Sequence, residues 1–202
     1  MVVAYNQASV AQAADIISRG GVIAFRTDTF YGLGVNPFDA AAVRRMKELK
    51  GREESKPILV LISDRDQVRR FIDQPSLEFE RLVGEFWPGP LTLIGAARSE
   101  VPSELTAGTG TIGIRLPADK DVMELVQSCG GALTATSANP SSQPAAKTAE
   151  EVAAYFPSGI DLIVDGGRSR SDQPSTVLDV TGGEVKLVRE GAISMSDIRH
   201  RP

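Results

Sequence analysis

The sequence predicts a single-domain α/β protein built around a mixed β-sheet. Helical and strand patterns alternate along its 202 residues, an order that is typical of helices covering a partly parallel sheet. The last two strand patterns are instead joined by only Thr181-Gly182-Gly183-Glu184, which predicts an antiparallel hairpin. The composition, 42% hydrophobic and 24% charged, is that of a soluble domain with one sizeable core.

A helix and a strand form the first unit of the chain. Ser9 and Gln12 resemble a capping box, which predicts a helix from Ser9 to about Arg19. Gly20-Gly21 ends that helix, and the apolar run at 22–25 predicts the strand that follows.

A second helix and strand surround a group of cations. Asp39 is expected to cap the helix, and Gly51 is expected to end it in the left-handed conformation. The apolar run at 58–62 predicts a strand that is covered on both faces. The cations between Lys50 and Lys56 therefore lie on a helix-to-strand connection.

The remaining elements follow from the same periodicities and from the turn residues between them. Helices are predicted at 64–71, 77–86, 119–129 and 148–156, and strands at 91–94, 112–116, 133–137, 162–165, 176–180 and 185–189. The stretch 166–174 is predicted to be a surface loop, and 193–202 a frayed tail that carries the single histidine, His200.

Composition excludes several classes of protein. The net charge of −4 argues against a protein built mainly to coat nucleic acid. The single cysteine, Cys129, excludes an intrachain disulfide and is predicted to be a buried filler among apolar neighbours. Because no window approaches the roughly 18 apolar residues of a membrane span and the N-terminus lacks a signal-peptide pattern, we expect a cytoplasmic location without membrane contact.

The stretch 26–57 has the chemistry of a polyanion site. A hydroxyl-rich turn at 26–34 ends in glycine and precedes three cations within seven residues, Lys50, Arg52 and Lys56. Ammonium groups bind phosphate as point charges and guanidinium groups bind it in bidentate fashion. Spacing alone leaves open the alternative that these cations are a solvated helix end.

Two common nucleotide motifs do not apply. The stretch 108–113 satisfies G-x-G-x-x-G, but it neither follows a strand pattern nor begins a helix, as the dinucleotide fingerprint requires. The dipeptide Gly-Lys is absent, which excludes an ordinary P-loop. The hydroxyl residues at 134–140 end a predicted strand, where they either face a ligand or form a turn.

Six motifs together resemble the YrdC-like threonylcarbamoyl-AMP synthase family. In chain order they are Thr27-Asp28-Thr29-x-Tyr31-Gly32-Leu33-Gly34, Lys50-x-Arg52 with Lys56-Pro57, Phe86-Trp87-Pro88-Gly89-Pro90-Leu91-Thr92, Thr111-Ile112-Gly113-x-Arg115-x-Pro117, Thr136-Ser137-Ala138-Asn139, and Ser175-Thr176-Val177 with Arg189-Glu190-Gly191. The resemblance spans about residues 9–192. It implies a twisted sheet of parallel and antiparallel strands, flanked by helices, with an open concave cleft in one domain over 1–202, as in the shorter members of the family.

The resemblance also implies an activity. Family members condense L-threonine, bicarbonate and ATP into L-threonylcarbamoyladenylate and pyrophosphate, a nucleotidyltransferase reaction that serves the N6-threonylcarbamoyladenosine modification of tRNA. The tRNA would be reached indirectly, through downstream threonylcarbamoyl-transfer proteins. Mg²⁺ is expected to arrive with ATP, and no metal ligand is assigned to the protein. The chain has no Ser-His-Asp or Cys-His set, which fits a reaction without a protein nucleophile.

Position by position, the resemblance assigns two groups of site residues. Those expected to bind ATP are Arg52, Lys56, Thr111, Ser137, Asn139, Ala145 and Arg189, with Lys50, Arg52 and Lys56 as the catalytic cations that place and neutralise the phosphates. Those expected to bind threonine are Thr29, Arg115, Ala135 and Ser175. The Arg115 guanidinium is the natural bidentate partner of a carboxylate, and as a cleft residue it is expected to contribute little to stability.

Two positions depart from the pattern, and two other functions remain as alternatives. Many members have proline where Arg26 stands, and many have histidine where Leu61 stands, so the role of Arg26 and one threonine contact are open. The first alternative is a module of the same fold that binds double-stranded RNA or tRNA, and weak RNA binding by the chain is left open as well. The second is a related protein of this fold that is not a synthase.

Overall fold

In the computed structural model, residues 1–51, 56–182 and 184–200 are described, with side chains to Ile198. Their strands form one ten-stranded sheet in the order β1-β8-β2-β3-β7-β4-β6-β5-β9-β10. The strands are β1 Val2–Ala4, β2 Ile23–Arg26, β3 Tyr31–Gly34, β4 Leu59–Ile62, β5 Leu91–Ala96, β6 Thr111–Arg115, β7 Ala132–Ser137, β8 Leu162–Asp165, β9 Thr176–Asp179 and β10 Lys186–Arg189.

The sheet is mixed, as the sequence predicts. Its parallel pairs are β1–β8, β2–β8, β4–β6 and β5–β9, and its antiparallel pairs are β2–β3, β3–β7, β4–β7, β5–β6 and β9–β10. The final pair is the predicted hairpin, with an irregular register between Leu187 and Arg189.

Seven α-helices and one 3₁₀ helix flank the described part of the sheet. They are α1 Gln7–Ser18, α2 Ala40–Lys50, the 3₁₀ helix Arg65–Arg70, α3 Leu77–Phe86, α4 Ser103–Thr106, α5 Lys120–Ser128, α6 Ala149–Tyr155 and α7 Met195–His200. Asp39 caps α2 through a hydrogen bond from the backbone N–H of Ala42, and Gly51 ends it at φ 60°, as predicted. None of the described helices has the length and apolar character that crossing a membrane requires.

The sheet packs on both faces, and successive strand residues alternate between two core clusters. In β4, for example, Leu61 belongs to the cluster beneath α1 and α5, whereas Val60 and Ile62 belong to the larger cluster on the other face. Helices α1 and α5 cover only part of their face. Ala135 belongs to that cluster, Leu59 packs against it, and both line a cavity, so the open remainder of this face forms the cleft.

Four sequence expectations were incomplete or wrong. Helix α1 begins earlier than predicted, because Asn6 is its N-cap and forms the capping box with Ser9. The stretch 31–34, treated as a turn, is strand β3. Its glycines leave room for close neighbours, since a Cβ on Gly34 would lie 2.7 Å from the ring of Phe25. Short elements β1 and α4 were missed altogether.

The predicted frayed tail is also wrong for the described residues. Residues Met195–His200 form α7, and the side chain of Ile198 is 2% exposed within the larger core cluster. A helix this short has little intrinsic stability, so burial of Ile198 rather than helix propensity accounts for it.

Candidate active site

A cavity of about 430 Å³ lies on the open part of the sheet face. Its walls come from the β2–β3 turn, the start of β4, one face of β5 and β6, and the end of β7. Residues 174–177 at the start of β9 and the end of β10 complete them. The segment 145–146 closes one side, since the Ala146 carbonyl accepts a hydrogen bond from the backbone of Tyr31.

Eight of the predicted site residues line this one cavity, although they are scattered over 160 residues of sequence. They are Thr29, Thr111, Arg115, Ala135, Ser137, Ala145, Ser175 and Arg189. Asn139, Lys50 and Lys56 are not among the lining residues, and Arg52 lies outside the described residues. The sequence motifs therefore converge in space, with Lys50 and Lys56 beside the cavity rather than in its wall.

Arg115 is buried at one end of the cavity and pairs with Asp28. The side chain of Arg115 is 3% exposed, and its Nη1 lies 2.5 Å from Asp28 Oδ1. Arg115 Nε and Asp28 Oδ2 are both buried without a hydrogen-bond partner. Burial lowers the pKa of Arg115, and Asp28 opposes that effect. An arginine always remains charged in proteins, so Arg115, which lines the cavity, brings a cation to it.

This burial corrects one sequence expectation. As a cleft residue Arg115 is expected to contribute little to stability, yet it is 2% exposed overall and compensates the charge of Asp28. Asp28 belongs to one of the six sequence motifs, but the sequence assigned it no role. The available signal was a carboxylate between two threonines.

The β2–β3 turn places two threonine hydroxyls at the same end of the cavity. Thr27 Oγ1 donates to the carbonyl of Phe30 over 2.7 Å and accepts from the backbone N–H of Thr29 over 3.1 Å. The two threonine hydroxyl oxygens are 3.0 Å apart. Both residues are buried, at 3% and 8% exposure, and both line the cavity.

The opposite wall of this end is built on Ser175. Its hydroxyl oxygen lies 2.9 Å from Thr92 Oγ1 and accepts from Arg189 Nη2 over 3.0 Å. Arg189 also donates to the Ser175 carbonyl. Partial burial and the nearby charge of Arg115 lower the pKa of Arg189. Gly191 allows the backbone that follows Arg189 to lie against Pro174, since a Cβ there would lie 2.3 Å from the Pro174 carbonyl oxygen.

Lys50, the last residue of α2, is 3% exposed. Its Nζ donates to the Ser137 and Asn139 carbonyls and lies 3.2 Å from both Ser137 Oγ and Asn139 Oδ1. The Lys50 carbonyl in turn accepts from the backbone N–H of Ser141. Lys50 is therefore not a solvated helix end, and it ties α2 to the segment that follows β7.

Asn139 organises that same segment. Its Nδ2 donates to the carbonyls of Pro140 and Gln143 over 3.0 and 2.6 Å, while its Oδ1 faces Lys50. Lys56, by contrast, is exposed and directly precedes Pro57, which lines the cavity. The phosphate contacts assigned to Lys50, Lys56 and Asn139 stay predictions, as does the contact assigned to Arg52.

The two departures from the family pattern both have structural explanations. Arg26 is 5% exposed and forms ion pairs with Asp119 and Asp121 at the start of α5, over 2.9 and 3.4 Å. Leu61 is fully buried under α5 beside Val122 and does not line the cavity. Neither residue reaches the open part of the site.

Tyr31 and Asp165 were not assigned a role from sequence. The hydroxyl of buried Tyr31 lies 3.0 Å from Asp165 Oδ1 and 2.7 Å from the Gly167 carbonyl. Burial and the bond to Asp165 raise the pKa of Tyr31. This contact fixes the start of the predicted 166–174 loop to the turn that carries Thr29.

The described residues offer the cavity no metal-binding cage. No group of three or more His, Cys, Asp or Glu side chains among them is arranged to hold a metal ion. The polar side chains among the described lining residues are hydroxyl and guanidinium groups, and the nearby carboxylate of Asp28 is paired with Arg115.

Comparison with known proteins identifies a family, curated relatives and solved structures that are similar to this chain. The family model described as telomere recombination, Sua5/YciO/YrdC, matches residues 15–191. A threonylcarbamoyl-AMP synthase of Pyrococcus abyssi is 37% identical over 186 residues, which are 92% of this chain but 55% of that protein. A threonylcarbamoyl-AMP synthase of Thiobacillus denitrificans is also 37% identical, over 84% of this chain and 89% of its own length.

A solved structure is similar over nearly the whole chain. P. abyssi Sua5 complexed with L-threonine superposes with a TM-score of 0.95 at 34% identity, over 98% of this chain and 60% of that one. This chain thus spans a little over half the length of the P. abyssi protein. With a family match that covers most of its residues and a mixed sheet of the same architecture, the chain belongs to the Sua5/YciO/YrdC family.

Proposed function

We propose that this protein is a threonylcarbamoyl-AMP synthase. It condenses L-threonine, bicarbonate and ATP into L-threonylcarbamoyladenylate, pyrophosphate and water. The amine of threonine and bicarbonate first give a carbamate with loss of water. A carbamate oxygen then bonds to the α-phosphorus, and the bond from that phosphorus to the bridging oxygen of pyrophosphate breaks.

The observation that carries the proposal is the convergence of eight predicted residues on one cavity. The sequence resemblance assigns four of them to threonine and four to ATP, and all eight line the same space. The curated relatives named threonylcarbamoyl-AMP synthase support the same activity.

Arg115 supports an amino-acid carboxylate at the buried end. Its Nη1 is occupied by Asp28, but its Nε–H is buried and has no partner. A buried unsatisfied donor is costly, and a carboxylate is the anion whose two oxygens match a guanidinium edge. Bound threonine would supply the missing acceptor, and Thr29, Ala135 and Ser175 would surround the rest of the amino acid.

The nucleotide is assigned to the other lining residues and the adjoining cations. Thr111, Ser137, Ala145 and Arg189 contribute two hydroxyls, a small side chain and a guanidinium to the wall. Because the Ser137 hydroxyl oxygen and carbonyl both face Lys50, that ammonium fixes the position of Ser137. Placing the carbamate in line with the leaving pyrophosphate and neutralising charge are then the main catalytic tasks.

Mg²⁺ belongs to this scheme as part of the nucleotide substrate. The described lining residues include no carboxylate. Mg²⁺ in nucleotide sites commonly binds phosphate oxygens and water, with few protein ligands. We therefore assign the ion to the triphosphate of ATP, whose charge it reduces.

The product places the protein in tRNA modification. The mixed anhydride between the carbamate and AMP is an activated acyl donor, so we propose that downstream transfer proteins pass the threonylcarbamoyl group to an adenosine of tRNA. In this scheme the protein works in the cytoplasm and meets tRNA only through those partners.

Pyrophosphate release tests the proposal directly. The purified chain is supplied with MgATP, L-threonine and bicarbonate, and each of the last two is omitted in turn. Release is expected only when both are present. Release that is independent of both would contradict the synthase, and tight binding of double-stranded RNA without any release would favour the RNA-binding alternative.

A further inference from the structure

We propose that Thr27 is a positioning residue that makes the Thr29 hydroxyl an obligate hydrogen-bond acceptor at the amino-acid end of the cavity. The inference rests on the proposed function, because it concerns how the amino acid is oriented there. It extends that function to a residue one position before Asp28 that has no assigned role.

Thr27 Oγ1 makes three close polar contacts. The oxygen lies 2.7 Å from the Phe30 carbonyl oxygen, 3.1 Å from the Thr29 backbone nitrogen and 3.0 Å from Thr29 Oγ1. A carbonyl oxygen only accepts, and a backbone N–H only donates. The single hydroxyl proton of Thr27 therefore goes to Phe30, and Thr27 accepts from the backbone of Thr29.

The direction of the remaining contact follows. Since Thr27 has used its proton, the bond between the two hydroxyls has to be donated by Thr29. Within the described residues, Thr29 Oγ1 makes no other hydrogen bond. Thr29 lines the cavity, so it offers a ligand only the lone pairs of its oxygen.

This polarity orients an amino acid. Arg115 only donates, and Thr29 only accepts, so a carboxylate suits Arg115 and is repelled by Thr29. An N–H or O–H of the amino acid faces Thr29 instead. Both threonines are almost excluded from solvent, at 3% and 8% exposure, and hydrogen bonds are stronger in such surroundings.

The hydroxyl pair across the cavity lacks this constraint and provides a matched control. Thr92 Oγ1 and Ser175 Oγ are 2.9 Å apart, and either oxygen is able to donate. Thr92 is 1% exposed, so the two pairs are similarly buried. They differ in that the direction of the bond between Thr92 and Ser175 is not fixed, and in that Ser175 Oγ also accepts from Arg189.

The test compares the KM values of L-threonine and of ATP in four forms of the full chain: wild type, Thr27→Val, Thr27→Ser and Thr29→Val. Thr27→Val keeps the shape but frees the Thr29 proton, and we expect it to raise the KM of L-threonine about five- to tenfold, the worth of roughly one hydrogen bond. The KM of ATP is expected to stay within about twofold, and Thr27→Ser to restore both values.

A double variant separates positioning from mere stability. If Thr27 acts through Thr29, then Thr27→Val combined with Thr29→Val raises the KM of L-threonine no further than Thr29→Val alone. Should Thr27→Val unfold, Thr27→Cys replaces it, because a thiol keeps the volume but is a weak donor and acceptor.

Three results would overturn the inference while leaving the proposed function intact. They are an unchanged KM of L-threonine in Thr27→Val, additive losses in the double variant, and equal rises in the KM values of L-threonine and ATP in Thr27→Val. Failure of the proposed function looks different, because the wild-type chain itself then releases no threonine-dependent pyrophosphate, and the inference falls with it.

Discussion

Arg115 and Lys50 are both buried cations beside the same cavity, yet their hydrogen bonds differ. Lys50 Nζ is surrounded by four acceptors of Ser137 and Asn139, two of them backbone carbonyls. Arg115 makes one bond, to Asp28, and keeps a buried Nε–H without a partner. The described residues satisfy the Lys50 ammonium, whereas they leave one N–H of the Arg115 guanidinium without an acceptor.

This difference separates two ways in which a cation contributes to an anion site. A cation held by the protein's own carbonyls fixes the backbone that contacts a ligand, and its loss acts through neighbouring groups. A cation with an unsatisfied donor contacts the ligand directly, and its loss acts first on substrate affinity. The comparison therefore predicts different kinetic signatures for the two residues.

The largest effect is expected for Arg115→Ala. Loss of a charge-assisted bidentate contact, worth about 1.5–3 kcal/mol, together with an uncompensated Asp28, is expected to lower kcat/KM for L-threonine about 100-fold or more. Removing one partner of a buried ion pair costs about 3–5 kcal/mol of stability. Steady-state kinetics and thermal melts measure the two effects separately.

A second variant tests whether those effects are separable. Arg115→Met combined with Asp28→Asn removes both charges, so the melting temperature is expected to recover while the threonine kinetics do not. If Arg115→Ala melted early but kept its threonine kinetics, Arg115 would serve the fold alone and the comparison would fail.

An intermediate effect on the KM of ATP is expected for the matched pair of variants Lys50→Met and Lys56→Met. Each is expected to raise the KM of ATP about tenfold, with the KM of L-threonine within about twofold. Lys50→Met also leaves the Ser137 and Asn139 carbonyls without their donor, so its melting temperature should drop by several degrees. Lys56 is exposed, and its variant should melt within about 2 °C of wild type.

The melting temperatures distinguish a structural role of Lys50 from a direct contact with phosphate. A Lys50→Met protein that melts like wild type but binds ATP poorly would show that the ammonium contacts phosphate and does not tie the segment after β7. In that case Lys50 and Arg115 would act in the same way.

The smallest effect is expected for Thr92→Val. Ser175 Oγ keeps its bond from Arg189 when the Thr92 hydroxyl is removed, so its position changes little. We expect the KM of L-threonine to rise threefold or less, which is below the rise expected for Thr27→Val. A larger rise than in Thr27→Val would show that the Ser175 wall, and not the Thr29 wall, orients the amino acid.

Much of the fold could be predicted from sequence because the signals are local. The bounds of α3 and β8 follow from apolar periodicity and turn residues, and the ends of α2 from Asp39 and Gly51. Strand β3 was read as a turn because two of its four residues are glycine, and only its pairing with β2 and β7 makes it a strand.

The cavity lining could also be predicted, but the partners of its residues could not. Motif order identified Thr29, Arg115 and Ser175 without any geometry. Three of these partnerships join residues that are 87 or more positions apart in sequence. They are Lys50 with Ser137, Arg115 with Asp28, and Arg26 with Asp119. Spacing along a chain holds no information on such tertiary partners, which is why the cations read equally well as surface charges.

The most direct test of the proposed synthase function follows the carbon of bicarbonate into the adenylate. The chain is incubated with MgATP, L-threonine and ¹³C-labelled bicarbonate, and the adenylate is analysed at once by mass spectrometry. The synthase function predicts threonylcarbamoyl-AMP one mass unit heavier than its unlabelled form, in amounts matching the pyrophosphate released. Pyrophosphate release without a labelled adenylate, or an adenylate that forms equally well without threonine, would contradict it.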